Sequence, residues 1–401
     1  GDRAEQIDGG RRSWRRPLTD DLFAAFSAGA VGDVDLLEAM LGPMQNGPRS
    51  EALWLATSRR QPDPRVAALG ERCAHRVLDL ELARGDEPSG ATHYVNSIRS
   101  LSGSRAPLAI IRGLGKDGFR REQWRDRSRG ASLSRLLRIS QPDPTEPPEA
   151  AVGALRAAEL PERRLCEAAL VAPQWAGLMG EALGWPGFAS AVWWLYAHTR
   201  DRHAEAEEEV RALWAAGVTE RTALTSDELL DGAADAAWFH GAITALGEPR
   251  FDRLYAAASL IGTAQGHRRA RLFADAMLGR VSPDELRARI AGKRSQDALR
   301  ALALAPLPGG DALWPELQAR YQTIAEFERT SAGSGAQRRE SERLACATAL
   351  DSLASSAGYA DAQRLRWAMA TRAVAYLSDG PATVEVDGVT VALSLDGDGR
   401  P

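Results

Sequence analysis

The residues best placed for metal chemistry are two histidines and an acid near the middle of the chain. His198, Asp201 and His203 stand close together, just ahead of a run of glutamates. Metal ligands on a helix favour spacings of three or four residues, which put both side chains on one face. His198 and Asp201 meet this condition, whereas His198 and His203 point about 140° apart at ~100° per residue. A metal site would therefore need a helix break, and a polar helix end followed by a solvated acidic face is the favoured alternative.

A second candidate is electrostatic, because residues 99–138 are strongly basic although the whole chain has a net charge of −4. This segment holds eleven lysines and arginines against three acids. Such a cluster, interleaved with aromatic residues, is typical of a surface that binds nucleic acid or another polyanion. The favoured alternatives are a solvated helix face or a surface that docks onto acidic protein. The residues expected to contribute are Arg120, Arg121, Trp124, Arg125, Arg127 and Arg129.

Tryptophan and other aromatic residues are concentrated between residues 175 and 196. Such a block forms either the thickest part of a core or a binding groove. Trp193 and Trp194 are adjacent and therefore point about 100° apart on a helix. We expect at least one of them to face a neighbouring helix, and the other is a candidate for a partner surface. The core interpretation is the favoured one.

Reactive motifs are absent from the sequence. It contains no phosphate-binding loop of the G-x-x-x-x-G-K-[ST] type, no G-x-S-x-G elbow, no H-E-x-x-H and no strand-linked G-x-G-x-x-G. We therefore expect no cofactor and no catalytic activity that the sequence makes evident. A dyad assembled from distant residues stays open as an alternative.

The composition is that of an ordinary globular protein, with 401 residues, 44% of them hydrophobic and 26% charged. The cysteines, Cys73, Cys166 and Cys346, are far apart, which fits a reducing compartment better than a disulfide framework. The first residues are polar and rich in arginine, unlike a secretory leader. These features predict a cytoplasmic protein without a membrane span.

Helix caps and stops recur along the chain up to Pro381. They predict an all-α fold, either an irregular α-solenoid of HEAT-like helical repeats or a large helical bundle. Asp387-Gly388 lies between two alternating runs rich in β-branched residues, which predicts a short C-terminal β-hairpin. The expected domains are a flexible basic N-terminus (1–18), an N-terminal helical region (19–140), a proline-rich linker (141–149), a C-terminal helical region (150–379) and a hairpin that opens a following domain (380–401).

Several short stretches resemble the large bacterial proteins of unknown function called MolR-like. The likeness spans residues 150–401 and rests on Val171-Ala-Pro-Gln-Trp175, Leu183-Gly-Trp-Pro-Gly-Phe188, Ala191-Val-Trp-Trp194, Ala197-His-Thr199 and the stretch from Val384 to Pro401. The resemblance implies a long, mostly helical protein. Some members carry a WGR module associated with nucleic acid, and some neighbour AAA+ ATPases of the MoxR type and von Willebrand A-type proteins. No WGR signature stands in this sequence, and the family offers no catalytic residues to transfer.

Together these features predict a protein-interaction scaffold region of a larger cytoplasmic bacterial protein. Its partners would be other proteins, among them, by resemblance only, an AAA+ ATPase of the MoxR type. The first alternative is a nucleic-acid-associated module that uses residues 99–138. The second is a metal-binding or enzymatic site near His198 and His203.

Overall fold

The computed structural model describes residues 19–42, 50–115, 117–120, 126–199, 208–333, 335–375, 377, 380–386 and 389–393. These residues form two compact units. The first comprises the described residues up to Leu183 together with 208–210. The second comprises those from Gly184 to Thr199 and from Arg211 onward. Gly184 lies at the point where the chain leaves the first unit, and its φ of +64° is in the left-handed region that favours glycine.

The first unit consists mainly of helices joined by short turns. Its α-helices are α1 (Thr19–Ser27), α2 (Asp33–Leu41), α3 (Glu51–Ala56), α4 (Pro64–Ala83), α5 (Arg105–Leu114), α6 (Arg129–Ile139), α7 (Pro148–Ala157), α8 (Glu162–Val171) and α9 (Ala176–Leu183). Segments Thr92–Ser97 and Pro173–Trp175 are 3₁₀ helices. Two very short strands, β1 (Leu101–Ser102) and β2 (Ser140–Gln141), pair in parallel. The sequence analysis did not predict this pairing, because two residues are too few to show an alternating pattern.

The second unit continues the helical pattern and ends in a hairpin. Its α-helices are α10 (Phe188–Thr199), α11 (Glu208–Thr219, which begins in the first unit), α12 (Ser226–Leu230), α13 (Ala236–Leu246), α14 (Glu248–Ala257), α15 (Ala264–Met277), α16 (Pro283–Lys293), α17 (Gln296–Leu304), α18 (Leu313–Thr330), α19 (Ala336–Ser356) and α20 (Ala362–Ala373). Segments Ala258–Leu260, Gly310–Ala312 and Ser331–Gly333 are 3₁₀ helices. The hairpin strands are β3 (Ala382–Val386) and β4 (Val389–Leu393).

The predicted all-α class with a C-terminal hairpin is confirmed for the described residues. Strands β3 and β4 are antiparallel, with Val384 opposite Val391 and Glu385 opposite Thr390. Side chains alternate between the two faces of a strand. This register therefore collects the valines and Leu393 on one face and leaves the threonines, Glu385 and Ala392 on the other.

Local sequence chemistry explains where helices begin. Asp63 caps α4 by accepting a hydrogen bond from the Arg65 N–H at 2.8 Å, and Pro64 occupies the first helical position. The stretch from Ser226 to Leu246 forms two helices rather than one. Thr225 and Glu228 form a capping box for α12, and Asp235 caps a separate helix, α13. The two cap residues lie ten positions apart, and each begins its own helix.

The proline-rich segment 141–149 lies within the first unit. Gln141 belongs to β2, and Pro148 begins α7. Thr145 donates its backbone N–H and its hydroxyl to Asp143, at 2.8 Å and 2.7 Å. These bonds form an Asx-type turn of the kind that Asp-Pro sequences favour.

Large aromatic side chains occupy the interior of each unit. In the first unit, Trp175 is fully buried and donates its Nε1–H to the Ser140 hydroxyl at 2.9 Å. In the second unit, Trp194, Phe239, Phe251 and Phe273 are fully buried. Cys73, Cys166 and Cys346 are buried free thiols, as expected for small apolar core residues.

Candidate interaction surfaces

His198 lies in the core rather than at a reactive site. It is 1% exposed, its ring stacks on Trp194 with centroids 4.2 Å apart, and its Nδ1 lies 2.7 Å from the Trp194 carbonyl oxygen. Burial lowers the pKa of His198 to about 4 with a smaller contribution from the nearby Arg269 charge, against the opposing effects of the hydrogen bond to the Trp194 carbonyl and of the Asp235 charge. The ring is therefore neutral near pH 7, with Nδ1 as the donor.

The other two residues of the predicted metal candidate, Asp201 and His203, lie outside the described residues. Among the residues that the structure describes, no group of three or more His, Cys, Asp or Glu side chains could hold a metal ion. His198 keeps Nε2 without a hydrogen-bond partner inside the core. His198 therefore lies on α10 as a packed core residue and is not part of a polar, solvated helix end.

The structure places both tryptophans of the predicted groove in the core of the second unit. Trp194 is 0% exposed and lies against Phe239 and Phe251, with centroid distances of 4.8 Å and 6.2 Å. Trp193 is 6% exposed and sits beneath the Arg221 guanidinium, 5.2 Å from its ring centroid. The core interpretation therefore fits the observed burial, and neither ring offers an open face to a partner.

Several arginines of the basic segment serve the protein's own backbone. Arg129 donates from Nη2 to the carbonyl oxygens of Leu82 at 3.0 Å and Gly113 at 2.7 Å, at the C-terminal ends of α4 and α5. Arg135 donates to the carbonyls of Val95 and Ile98, near the end of a 3₁₀ helix. Helix ends leave carbonyl groups without partners, so these arginines act as side-chain caps.

The remaining predicted surface residues fall into two groups. Arg120 and Arg127 are exposed on the described stretch that leads into α6. Arg121, Trp124 and Arg125 lie outside the described residues. Phe119, the other aromatic residue of the segment, is 3% exposed and therefore belongs to the core. The described part of the segment thus divides between structural arginines and a small solvated set.

A small surface pocket of ≈ 450 Å³ lies between α1 and the turn before α4. Its apolar lining includes Phe23 and Leu55, and Asp63 stands at its edge. The Asp63 carboxylate accepts hydrogen bonds from the Ser27 hydroxyl and the Arg65 N–H, which lower the pKa of Asp63 to about 2. Because this carboxylate is already used to cap α4 and to anchor α1, the pocket is explained by helix packing.

The most exposed apolar surface of the second unit is one face of the hairpin. Val384, Val389 and Val391 are each more than half exposed, at 56%, 62% and 52%, and Leu393 is 44% exposed. These residues share one face of the hairpin through the register of β3 and β4. The hairpin itself is predicted from the sequence, but none of these residues is among the predicted interaction residues. The alternation of valines with polar residues is the signal that could have found them.

Exposed large apolar side chains are otherwise few in the described part of the chain. They are Val34 and Leu37 on α2, Leu80 on α4, Trp367 on α20 and Val374 just after it. Single exposed apolar residues are normal on a protein surface, whereas contiguous patches mark interaction sites. The hairpin face, α2 and α20 are therefore candidate interaction surfaces, whereas Leu80 is a single exposed residue.

No helix among the described residues is long and apolar enough to cross a membrane. Neither a curated protein nor a solved structure matches the chain. A family model does match, and it covers residues 5–369, which is most of the chain and nearly all of its helical part. The chain therefore belongs to the family of unknown function DUF5724.

Proposed function

We propose that the chain is a protein-interaction scaffold, which binds other proteins through its surface rather than through a reactive centre. The observation that carries the proposal is the apolar face of the hairpin. A two-stranded hairpin alone is marginally stable in water, and a sheet becomes stable when more strands or a helix cover its apolar face. Val384, Val389, Val391 and Leu393 present such a face to solvent. A polypeptide that covers it, either a partner or the following domain that the sequence predicts, would bury four aliphatic side chains.

The use of the buried polar groups supports the same proposal. Arg320 is 0% exposed, yet it binds Glu316 and the carbonyls of Ala305 and Pro306 beyond the end of α17. Glu81 is also 0% exposed and accepts hydrogen bonds from Arg84 and Thr92. Each of these buried charges is saturated by structural partners, as buried charges usually are. Neither of these two buried charges is left for chemistry, which favours surface binding.

The resemblance to the MolR-like group adds detail to the proposal. It supports a helical region that is part of a longer cytoplasmic protein, working beside an AAA+ ATPase of the MoxR type. An ATPase partner would recognise a fixed surface of the scaffold, and the hairpin face is a suitable one. The arginines that cap backbone carbonyls, Arg129 and Arg135, weigh against the nucleic-acid alternative, since they are not available to phosphates.

The experiment is an affinity capture of the parent protein from its own cells, with and without nuclease, read by mass spectrometry. The variant Val389→Thr/Val391→Thr keeps β-branched side chains, so the hairpin should form, but it removes the apolar character of the face. Glu385→Gln, on the opposite face, is the matched control. We expect a stoichiometric protein partner with the wild type and the control, and its loss with the double variant.

Two results would refute the proposal. If every captured component disappeared after nuclease treatment, the chain would act through nucleic acid. If the double variant and Glu385→Gln retained the same partners in the same amounts, the hairpin face would not be the binding surface.

A further inference from the structure

Helix α2 carries an apolar stripe on its solvent side. Leu36 and Met40 face the core, whereas Val34 is 75% exposed and Leu37 is 37% exposed. The helix contains three acidic residues and no basic ones, namely Asp33, Asp35 and Glu38. A helix that is apolar on both sides is usually covered on both. The outer side of α2 is therefore an acidic surface with an apolar centre.

Helix α20 shows the same arrangement with the opposite charge. Leu365 and Met369 face the core, whereas Trp367 is 61% exposed and Val374, at the C-terminal end of the helix, is 41% exposed. The helix contains three basic residues and no acidic ones, namely Arg364, Arg366 and Arg372. Arg372 packs over the Trp314 ring, 4.1 Å from its centroid, so the outer side carries Arg364 and Arg366 around an apolar centre.

Intramolecular pairs neutralise these charges only in part. Asp33 lies 3.5 Å from Arg72, and Arg364 lies 3.2 Å from Asp361. Both are solvent-exposed ion pairs, which contribute little to stability and are readily exchanged. Glu38 and Arg366 are exposed near the middle of their helices. The two surfaces therefore keep opposite local charge.

The apolar centres of the two surfaces are small. Val34 and Leu37 lie one helical turn apart on α2, and Trp367 and Val374 lie two turns apart towards the end of α20. Ala370 and Thr371, both exposed and small, lie between Trp367 and Val374, so a larger side chain such as Leu37 can pack there.

We propose that α2 of one copy of the chain packs against α20 of a second copy. The occupant is a second copy because this chain itself carries, on α2, an acidic surface with an apolar centre that complements the basic surface of α20. Pairing α20 with α20, or α2 with α2, would place like charges opposite each other. The hairpin face offers no charge to match the arginines of α20. This inference goes beyond the scaffold role and does not depend on it.

The contact is head-to-tail, because each copy uses two different surfaces. Such a heterologous contact builds either a closed ring or an open chain of copies. The exposed apolar residues at the proposed contact are only Val34 and Leu37 on one side and Trp367 and Val374 on the other, far fewer than the ~20–30 residues a side of a stable interface. We therefore expect weak association, with a dissociation constant of roughly 10–100 μM, strengthened at low salt.

The test is sedimentation velocity of the 401-residue chain between about 5 and 300 μM, at low and at high salt. We expect the wild type to associate with rising concentration and less so at high salt. Glu38→Arg and Arg366→Glu should each weaken association about tenfold, because each places like charges at the contact. A mixture of the two variants should associate as the wild type does, since each one supplies the surface that the other lacks. Trp367→Ser should also weaken association, whereas the control Leu80→Ser on α4 should not.

Three outcomes would overturn the proposal. A chain that stays monomeric at the highest concentration and low salt has no such contact. Association that Glu38→Arg, Arg366→Glu and Trp367→Ser leave unchanged would place the contact elsewhere, and its loss in Val389→Thr/Val391→Thr would assign it to the hairpin. Failure of the mixture to recover association would show that the charges of α2 and α20 do not meet. Apart from a loss of association in Val389→Thr/Val391→Thr, none of these results bears on whether a different protein binds the hairpin face.

Discussion

Arg294 binds both carboxylate oxygens of Glu342, from Nε at 2.9 Å and from Nη2 at 2.8 Å, although the two residues lie 48 positions apart. The same guanidinium donates to the Phe327 carbonyl and to the Ser331 hydroxyl. Arg294 has a φ of +50°, in the left-handed region that is unfavourable for residues other than glycine. These hydrogen bonds offset that cost and join the end of α16 to α18 and α19.

Removing the Glu342 carboxylate should therefore destabilise the second unit. We expect Glu342→Ala to lower the free energy of unfolding by about 2–3 kcal/mol, because Arg294 and Ser331 lose a buried partner. The matched control is Glu340→Ala, which removes an acid from the exposed pair with Arg343. Chemical denaturation should show a clear loss for the first variant and an unchanged midpoint for the second. Equal losses of stability in the two variants would mean that the effect does not come from burial of the Arg294–Glu342 pair.

The close approach between α10 and α15 is tested by a substitution at Gly266, with Gly241 in α13 as the control. A Cβ on Gly266 would lie 2.3 Å from the Thr199 carbonyl oxygen, which belongs to the backbone and cannot rotate away. We expect Gly266→Ala to cost about 1–3 kcal/mol, the usual range for overpacking. Gly241→Ala, in α13 where a Cβ meets nothing within 4 Å, should instead stabilise by about 0.5–1 kcal/mol. Thermal unfolding should show a lower midpoint for Gly266→Ala and a higher one for Gly241→Ala. An unchanged midpoint for Gly266→Ala would contradict the close approach of α15 to the Thr199 carbonyl.

His198 predicts a dependence of stability on pH. Burial lowers its pKa to about 4 in the folded chain, compared with 6.5 for an unperturbed histidine. The unfolded state therefore binds the proton first, and stability falls as pH drops from about 6.5 to 4, by about 3 kcal/mol in total. His198→Gln cannot take up this proton. The variant should be less stable at neutral pH but should show a flatter stability profile across that window in denaturation at stepped pH. Parallel profiles for the two proteins would show that His198 does not titrate in this way.

Comparing substitutions of Arg129 and Arg127 shows which arginines of the basic segment stabilise the fold and which lie on the surface. Arg129 caps two helix ends and its side chain is 14% exposed, whereas Arg127 is exposed. We expect Arg129→Gln to lower the free energy of unfolding by about 2 kcal/mol, because two carbonyls lose a charged donor. Arg127→Gln should leave the unfolding midpoint unchanged. If neither variant changes stability, the arginines of this segment are free for another purpose.

Some of these features could be predicted from the sequence and others could not. Asp387-Gly388 and the alternating valines were enough to predict the hairpin, because turn type and strand period are local properties. The role of Arg129 depends on carbonyls 47 and 16 residues away, which no local pattern reveals. The burial of both Trp193 and Trp194 depends likewise on helices and turns on several sides of α10.

The exposed apolar residues on α2 and α20 also could not be predicted from the sequence. In each helix the exposed apolar residues lie close in sequence to buried ones, for example Val34 beside Leu36 and Trp367 beside Leu365. Sequence periodicity cannot separate a helix buried on two sides from one with an open second side. Only the packing of the neighbouring elements shows which face is left to solvent.

The most direct test of the scaffold proposal is photo-crosslinking from the hairpin in living cells. A photoreactive amino acid is placed at Val391, on the apolar face, and separately at Glu385, on the polar face of the same hairpin. The account predicts a discrete covalent adduct with another polypeptide from position 391 and none from position 385. The absence of an adduct from 391, or equal adducts from both positions, would contradict it.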